Sequence, residues 1–335
     1  MQSLLVRLLA LSMRELPGTV LRIRLAQILD NASAAYNLLY RTSDVQQSPT
    51  WAVTTLFIPM TCSKSTPMVT YLIPYNSADI DDSQSYSIYT TFDISLSYQL
   101  GRGPRWRAVL VFRGGHAALD AVRAVLSADL GPNLVFSGTV LGGLAPNLTS
   151  TADSIISTSW AGLMAAGLVG VASQYPDAYD FLISKLKPGM SSSYFLAVEN
   201  YDIVETFAAF AGQNMYDYFL DGRSVFSERS ALSGALTANG YMGLHRVPQM
   251  PVFAHKPIHD QFSPVKDTDE LVRNFCGKGA SILYQRNSVG GHIAEITNGH
   301  QRALSWLGIV LEEGYTPMGG CFVQNITVDI DNSAN

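Results

Sequence analysis

Apolar and polar positions along this chain fall into short runs that alternate between strand-like and helix-like periods. "AVTTLFIP", Ala52 to Pro59, alternates and is rich in β-formers, which predicts a strand. "PMVTYLIPYNSADID" predicts a second strand running into a polar turn. "RAVLVFRGG", Arg107 to Gly115, is a short apolar run closed by glycines and fits a buried parallel strand. "HAALDAVRAVLSADLG", His116 to Gly131, carries apolar residues at helical spacing and stops at a glycine. "NLVFSGTVLGG" predicts another buried strand with a glycine turn after it. From Thr151 to Gly243 the pattern is mostly helical, with loops at "KPGMSSS" and "LDGRS". "SWAGLMAAGLVGVASQY", Ser159 to Tyr175, suits either a close-packed helix over a pocket or an ordinary buried helix. "MPVFAHKPIHD" predicts a strand ending in polar groups, and "KDTDELVRNFCGKG" an amphipathic helix. "ASILYQRN" predicts a further strand, and "HIAEITNGHQRALSWLGIVLEEG" a long helix.

Strands that alternate with helices, interrupted by a helical block, predict an α/β domain with a mostly parallel sheet and an inserted cap. The core is expected over 16–150 and 244–335, and the helical cap, or lid, over 151–243. Parallel sheets carry functional residues at the carboxyl ends of their strands. Asp260 and His292 both stand at such ends.

Composition narrows the class. The 335 residues are 47% hydrophobic and 15% charged, enough for a large core, and the mean hydropathy of +0.13 leans towards a secreted or lipid-facing protein. A net charge of −5, with no basic cluster among aromatics, argues against nucleic acid as a partner. No apolar run reaches the roughly 18–20 residues that span a bilayer, so no transmembrane segment is expected. Residues 1–15, "MQSLLVRLLALSMRE", resemble a truncated signal peptide without a clean cleavage site. Sequons at Asn31, Asn147 and Asn325 fit an extracellular, glycosylated chain. No C-x-x-C or His/Cys cluster has zinc spacing, and neither metal nor other cofactor is expected. Three cysteines, Cys62, Cys276 and Cys321, cannot all pair within one chain. A Cys276–Cys321 bridge would close a loop of 321 − 276 = 45 residues around His292; three reduced thiols are the alternative.

The chemistry centres on "SVGGHIAEI" and "PIHD". Glycines before His292 permit a tight turn that exposes the next side chain. Asp260 precedes His292 by 292 − 260 = 32 residues, with one helix between. A carboxylate there could accept from the imidazole, fix its tautomer and stabilise the imidazolium formed in proton transfer. Acid then histidine near the C-terminus is the order of α/β-hydrolases.

Much longer stretches carry a resemblance. "GYMGLHRVPQMPVFAHKPIHDQFSPVKDTDELVRNFCGKGASILYQRNSVGGHIAEI" resembles the C-terminal half of the fungal secretory lipases. "ELPGTVLRIR", "YNLLYRTSDVQQSPTWAVTTLFIP", "GGHAALDAVRAVLS", "SGTVLGGLAPNLTS" and "FLAVENYDIVETFAAFAGQNMYDYF" extend it over most of the chain. The resemblance implies an α/β-hydrolase fold in a secreted monomer that hydrolyses triacylglycerol or related carboxylic esters at an oil–water interface. It implies Asp260 as triad acid, His292 as triad base, and a disulfide where Cys276 and Cys321 stand. Cys62 does not fall where the family's other cysteine is expected. "IPYNSADI" is similar to the family's Tyr-Asp-Ser stretch, which makes Asn76 an oxyanion candidate through its amide N–H2.

One part of the family pattern is missing. Its nucleophile lies in a G-Y-S-G-G elbow, and this chain contains no G-x-S-x-G. Only "ADLGPN", Ala128 to Asn133, separates the helix and strand that flank the elbow in the family. The sheet is therefore expected to be incomplete around the nucleophile strand. Ser137, before Gly138, and Ser233, in "ALSGAL", are the substitute serines to weigh. The chain is expected to be a secretory lipase relative impaired in hydrolysis. The alternatives are a lipid-binding protein without turnover, or a truncated form of an active lipase.

Overall fold

The computed structural model of the protein describes residues 15–28, 32–43, 48–60, 68–72, 107–111, 137–226, 229–244, 247–312 and 315–330. Asn76, Cys62, residues 1–14, the expected helix over 116–131 and the Ala128–Asn133 junction lie outside them. The chain divides into two units, Met1–Val135 and Phe136–Asn335.

Among the described residues, the first unit holds a five-stranded sheet of order β1-β2-β3-β5-β4. Its strands are β1 (Val20–Leu25), β2 (Ala32–Ser43), β3 (Pro49–Pro59), β4 (Met68–Leu72) and β5 (Arg107–Val111). β1, β2 and β3 form an antiparallel meander. Leu38 and Tyr40 of β2 are buried two residues apart, opposite buried Thr54 and Ala52 of β3. This is the period of a strand that buries one face. β5 lies in the run expected as a buried parallel strand. It pairs parallel with β4 but antiparallel with β3, so this sheet is mixed.

Among the described residues, the second unit is built on a four-stranded parallel sheet of order β6-β7-β8-β9. β6 is Thr139–Gly142, β7 Val252–Pro257, β8 Ile282–Asn287 and β9 Cys321–Ile326. The expected strand over 133–143 is thus confined, among the described residues, to four positions of β6. All six residues of β7 are buried. A short strand flanked on both sides and covered on both faces has no solvent-facing position, which explains its nearly unbroken apolar run.

Two helices make the parallel crossovers: α7 (Val265–Gly277) between β7 and β8, and α8 (His292–Val310) between β8 and β9. Leu271, Val272 and Phe275 on one face of α7 pack with Val252, Ala254, Ile282 and Tyr284 of the sheet. The Cys276–Cys321 disulfide ties the end of α7 to the start of β9, with Cα atoms 5.9 Å apart.

Between β6 and β7 the chain makes the helical block. It comprises α1 (Leu148–Ile155), α2 (Gly162–Ala172), α3 (Pro176–Lys185), α4 (Met190–Leu196), α5 (Ile203–Phe210) and α6 (Ala231–Gly240), with 3-10 turns between. The segment "KPGMSSS", expected as loop, contains the first turn of α4. α2 is buried along much of its length, and Met164, Leu168 and Val169 join Leu182, Phe195, Phe210 and Phe219 in a core of the block's own.

Candidate active site

β7 and β8 lie side by side in parallel, so the residues that follow them emerge at the same edge of the sheet. Asp260 follows β7 and His292 opens α8 after β8. The structure brings the two together. His292 Nδ1 lies 2.9 Å from Asp260 Oδ2 and 3.1 Å from Oδ1. The carboxylate is fully buried, and the imidazole keeps 15% of its surface.

The "GGH" triplet makes this presentation sterically feasible. Gly290 has φ +77°, a left-handed conformation that glycine adopts without strain. A Cβ on Gly291 would fall 2.3 Å from Gln261 Oε1, which accepts from the His292 N–H at 3.1 Å. Gln261 thereby satisfies one of the orphan donors at the start of α8, where no side-chain cap is present. The rotation of α8 is fixed one turn further on. Glu295 is buried, and its carboxylate accepts from His255 Nδ1 at 3.1 Å, from Asn287 Nδ2 at 2.9 Å, and from Arg302.

Asp260 collects four donors. Its Oδ1 accepts from the backbone N–H groups of Phe262 (2.8 Å) and Ser263 (3.0 Å). Its Oδ2 accepts from Lys256 Nζ at 2.8 Å as well as from the imidazole. Burial alone would raise the carboxyl pKa. The bonds from His292, Lys256 and the Ser263 N–H outweigh it and bring the pKa down to about 2.

An unfolded aspartate titrates near about 3.9. The native state therefore binds fewer protons at Asp260, so its contribution is present above about pH 4 and fades as the pH falls towards 2. That contribution is of the order of 2–3 kcal/mol. Urea unfolding at pH 6 and pH 3 measures roughly half of it, since the remainder is lost only below pH 3. Asp260→Asn is expected to lose less stability between the two pH values than the parent chain does; an equal loss would refute the assignment.

Beside the base lies a pair of aromatic rings. The Phe262 ring is 4.6 Å from the imidazole centroid, and Trp160, from the turn before α2, is edge-on at 5.9 Å. Trp160 also contacts Phe207 of α5 and Phe262. The helical block thus reaches the base directly. On another side, a Cβ placed on Gly143, just past β6, would lie 3.7 Å from His292 Cε1 and 4.0 Å from Nε2. The ring nitrogen not held by Asp260 is therefore close to the turn at the carboxyl end of β6.

Neither substitute serine is in this place. Ser137 precedes β6, at the opposite end of the parallel sheet from Gly143. Six residues at about 3.3 Å each put it roughly 15–20 Å back along the strand direction. Ser233 is engaged in a helix cap: its Oγ accepts from the Ser230 N–H at 3.0 Å and donates to the Ser230 carbonyl at 3.0 Å. The sequence reading missed Lys256, Gln261, Trp160 and Phe262. A lysine inside a strand otherwise patterned for complete burial was the one legible signal among them.

Comparisons with known proteins show the family and the fold. Residues 108–313 match the Secretory lipase family. The chain is 34% identical over 378 residues to the trichothecene C-3 esterase of Fusarium sporotrichioides, covering 93% of this chain and 84% of the relative. It is 26% identical over 369 residues to Lipase A of Arthroderma benhamiae, covering 89% of this chain and 78% of that one. Among solved structures, Candida antarctica lipase A superimposes with a TM-score of 0.81 at 19% identity, over 95% of this chain and 86% of that one. The α/β-hydrolase fold is shared with that structure, and the chain belongs to the secretory lipase family of carboxylic-ester hydrolases.

Proposed function

We propose that the chain carries the acid–base half of an ester-hydrolase site, Asp260 as acid and His292 as general base, without the serine that completes it. The observation that carries this reading is the 2.9 Å bond from His292 Nδ1 to a fully buried carboxylate, with Nε2 left towards the turn after β6. In a complete site of this kind a serine attacks the acyl carbon, Nε2 takes its proton, and the carboxylate stabilises the imidazolium. The absence of G-x-S-x-G, the remoteness of Ser137 and the capping role of Ser233 support the incompleteness. So do the lengths: the alignment with the Fusarium esterase runs 378 positions but takes in 93% of the 335 residues here, about 312, so roughly 378 − 312 = 66 positions fall opposite gaps in this chain.

In this reading 151–243 is a cap over a core of 16–150 and 244–335. Trp160 and Phe262 give it an apolar face for the acyl or alcohol part of the substrate. Asn76 is the oxyanion donor, and the chain is a secreted monomer. The substrate class is a triacylglycerol or related ester; the Fusarium relative, by its name, adds the C-3 ester of a trichothecene. A lipid-holding protein without turnover is the second reading, favoured by the same aromatic rings. The test is turnover of p-nitrophenyl butyrate by the chain and by His292→Ala. Equal rates at the level of background are expected. A drop of 100-fold or more in the variant would mean that a nucleophile is already present.

A further inference from the structure

Lys256 occupies a position from which charge is normally excluded. It lies in β7, the strand buried at all six positions, and its side chain has 0% exposure. Its ammonium donates to Asp260 Oδ2 at 2.8 Å and to the Leu144 carbonyl at 2.6 Å. Leu144 directly follows Gly143, the residue that lies against the free edge of the His292 ring. One ammonium therefore touches the acid on one side and the turn beside the base on the other. Asp260 Oδ2, the oxygen nearer the imidazole, is the one that Lys256 holds.

We propose that Lys256 is a positioning residue of the ester-hydrolase site, fixing the Asp260 carboxylate and the Gly143–Leu144 turn in one geometry. The inference rests on the reading of Asp260 and His292 as acid and base. Its second bond goes to the turn that faces the base, and its bond to Asp260 shares the oxygen that orients the imidazole. A backbone carbonyl and a carboxylate are both acceptors, and an ammonium can serve both from one buried point with its separate N–H groups. The positive charge also keeps the carboxylate ionised while the imidazole is neutral, the state from which a base accepts its first proton.

Among the described residues, Lys256 comes from β7 and His292 from α8; Asp267, on the first turn of α7, attracts Lys256, and the Tyr284 hydroxyl of β8, raised by burial first and by Asp269 next, also feels Arg286 and Asp260. Burial pushes the Lys256 ammonium pKa down, while Asp260 and Asp267 pull it back up.

The test follows the Asp260 carboxyl carbon by 13C NMR in the aspartate-labelled full chain from pH 5 to pH 3. In the parent the signal is expected to stay flat, as an ionised carboxylate. In Lys256→Met it is expected to titrate inside this window, a shift of at least one pH unit. Lys256→Gln retains a donor for the Leu144 carbonyl and loses only the charge, so it keeps the test open if the methionine variant does not fold; it is expected to titrate likewise. Lys256→Arg should remain flat. Titration of the parent inside the window would overturn the Asp260–His292 reading and this inference with it. A flat parent that is moved by His292→Phe, but by neither neutral variant of Lys256, would overturn the inference alone.

Discussion

Insertion of an elbow segment between Leu130 and Asn133 is expected to raise turnover of p-nitrophenyl butyrate by about 10⁴–10⁶-fold over the chain as it stands. The insert is a strand, a G-Y-S-G-G turn and the following helix from a family relative. The magnitude is the scale on which losing the serine or the histidine of such a site depresses kcat. The reasoning is local. An imidazole held at Nδ1 by a carboxylate keeps its other nitrogen for a nucleophile, and a serine on a strained strand-to-helix turn is the partner it fits. The carboxylate behind it is already buried, ionised and held by four donors, so the insert needs to supply only the nucleophile. Removing His292 from the grafted chain should return turnover to background. A graft that folds and gains less than tenfold would show that more of the site than the serine is missing.

Opening the Cys276–Cys321 bridge, by paired serine substitution, is expected to destabilise the second unit by about 4 kcal/mol, the loop-entropy value for a separation of 45 residues. For a unit of 335 − 136 + 1 = 200 residues this lowers Tm by roughly 8–16 °C. The reason lies in where β9 stands. Among the described residues it is the last strand of its sheet, paired on one side with β8, and its Phe322 and Val323 are exposed. Little apolar burial holds it, so the covalent tie at its first residue carries much of the load. Calorimetry on both forms decides the matter. A Tm difference under about 2 °C would mean that the ladder to β8 suffices alone.

Elements whose pattern repeats with a clean period were legible in the sequence. β7, α7, β8 and α8 all appear where "MPVFAHKPIHD", "KDTDELVRNFCGKG", "ASILYQRN" and "HIAEITNGHQ" predicted them. These four segments also place Asp260 and His292, so the meeting of acid and base could be anticipated from alternation alone. β1 and β2 went unread. In "ASAAYNLLYRTS" polar residues sit at buried positions, as Arg41 and Thr42 do, and the two-residue period is blurred. β9 was hidden for the opposite reason: as an edge strand with exposed apolar residues it leaves no burial pattern to find. The aromatic pair was not legible either. Trp160 and Phe262 are 102 residues apart, and nothing in local spacing says that they will share one imidazole. Lys256 illustrates the intermediate case. Its charge broke the apolar pattern of β7 in plain view, but its partners come from the loops after two different strands.

The most direct test of the central claim, an acid–base pair without its serine, is covalent labelling of the chain with a fluorophosphonate probe, read by intact mass and peptide mapping. A serine activated by His292 would react stoichiometrically, because the probe mimics the acyl carbon under attack. The account predicts no adduct on the chain as it stands and a single adduct, on the inserted serine, once the elbow is grafted. A stoichiometric adduct on Ser137, Ser233 or any other serine of the parent chain, abolished by His292→Ala, would contradict it.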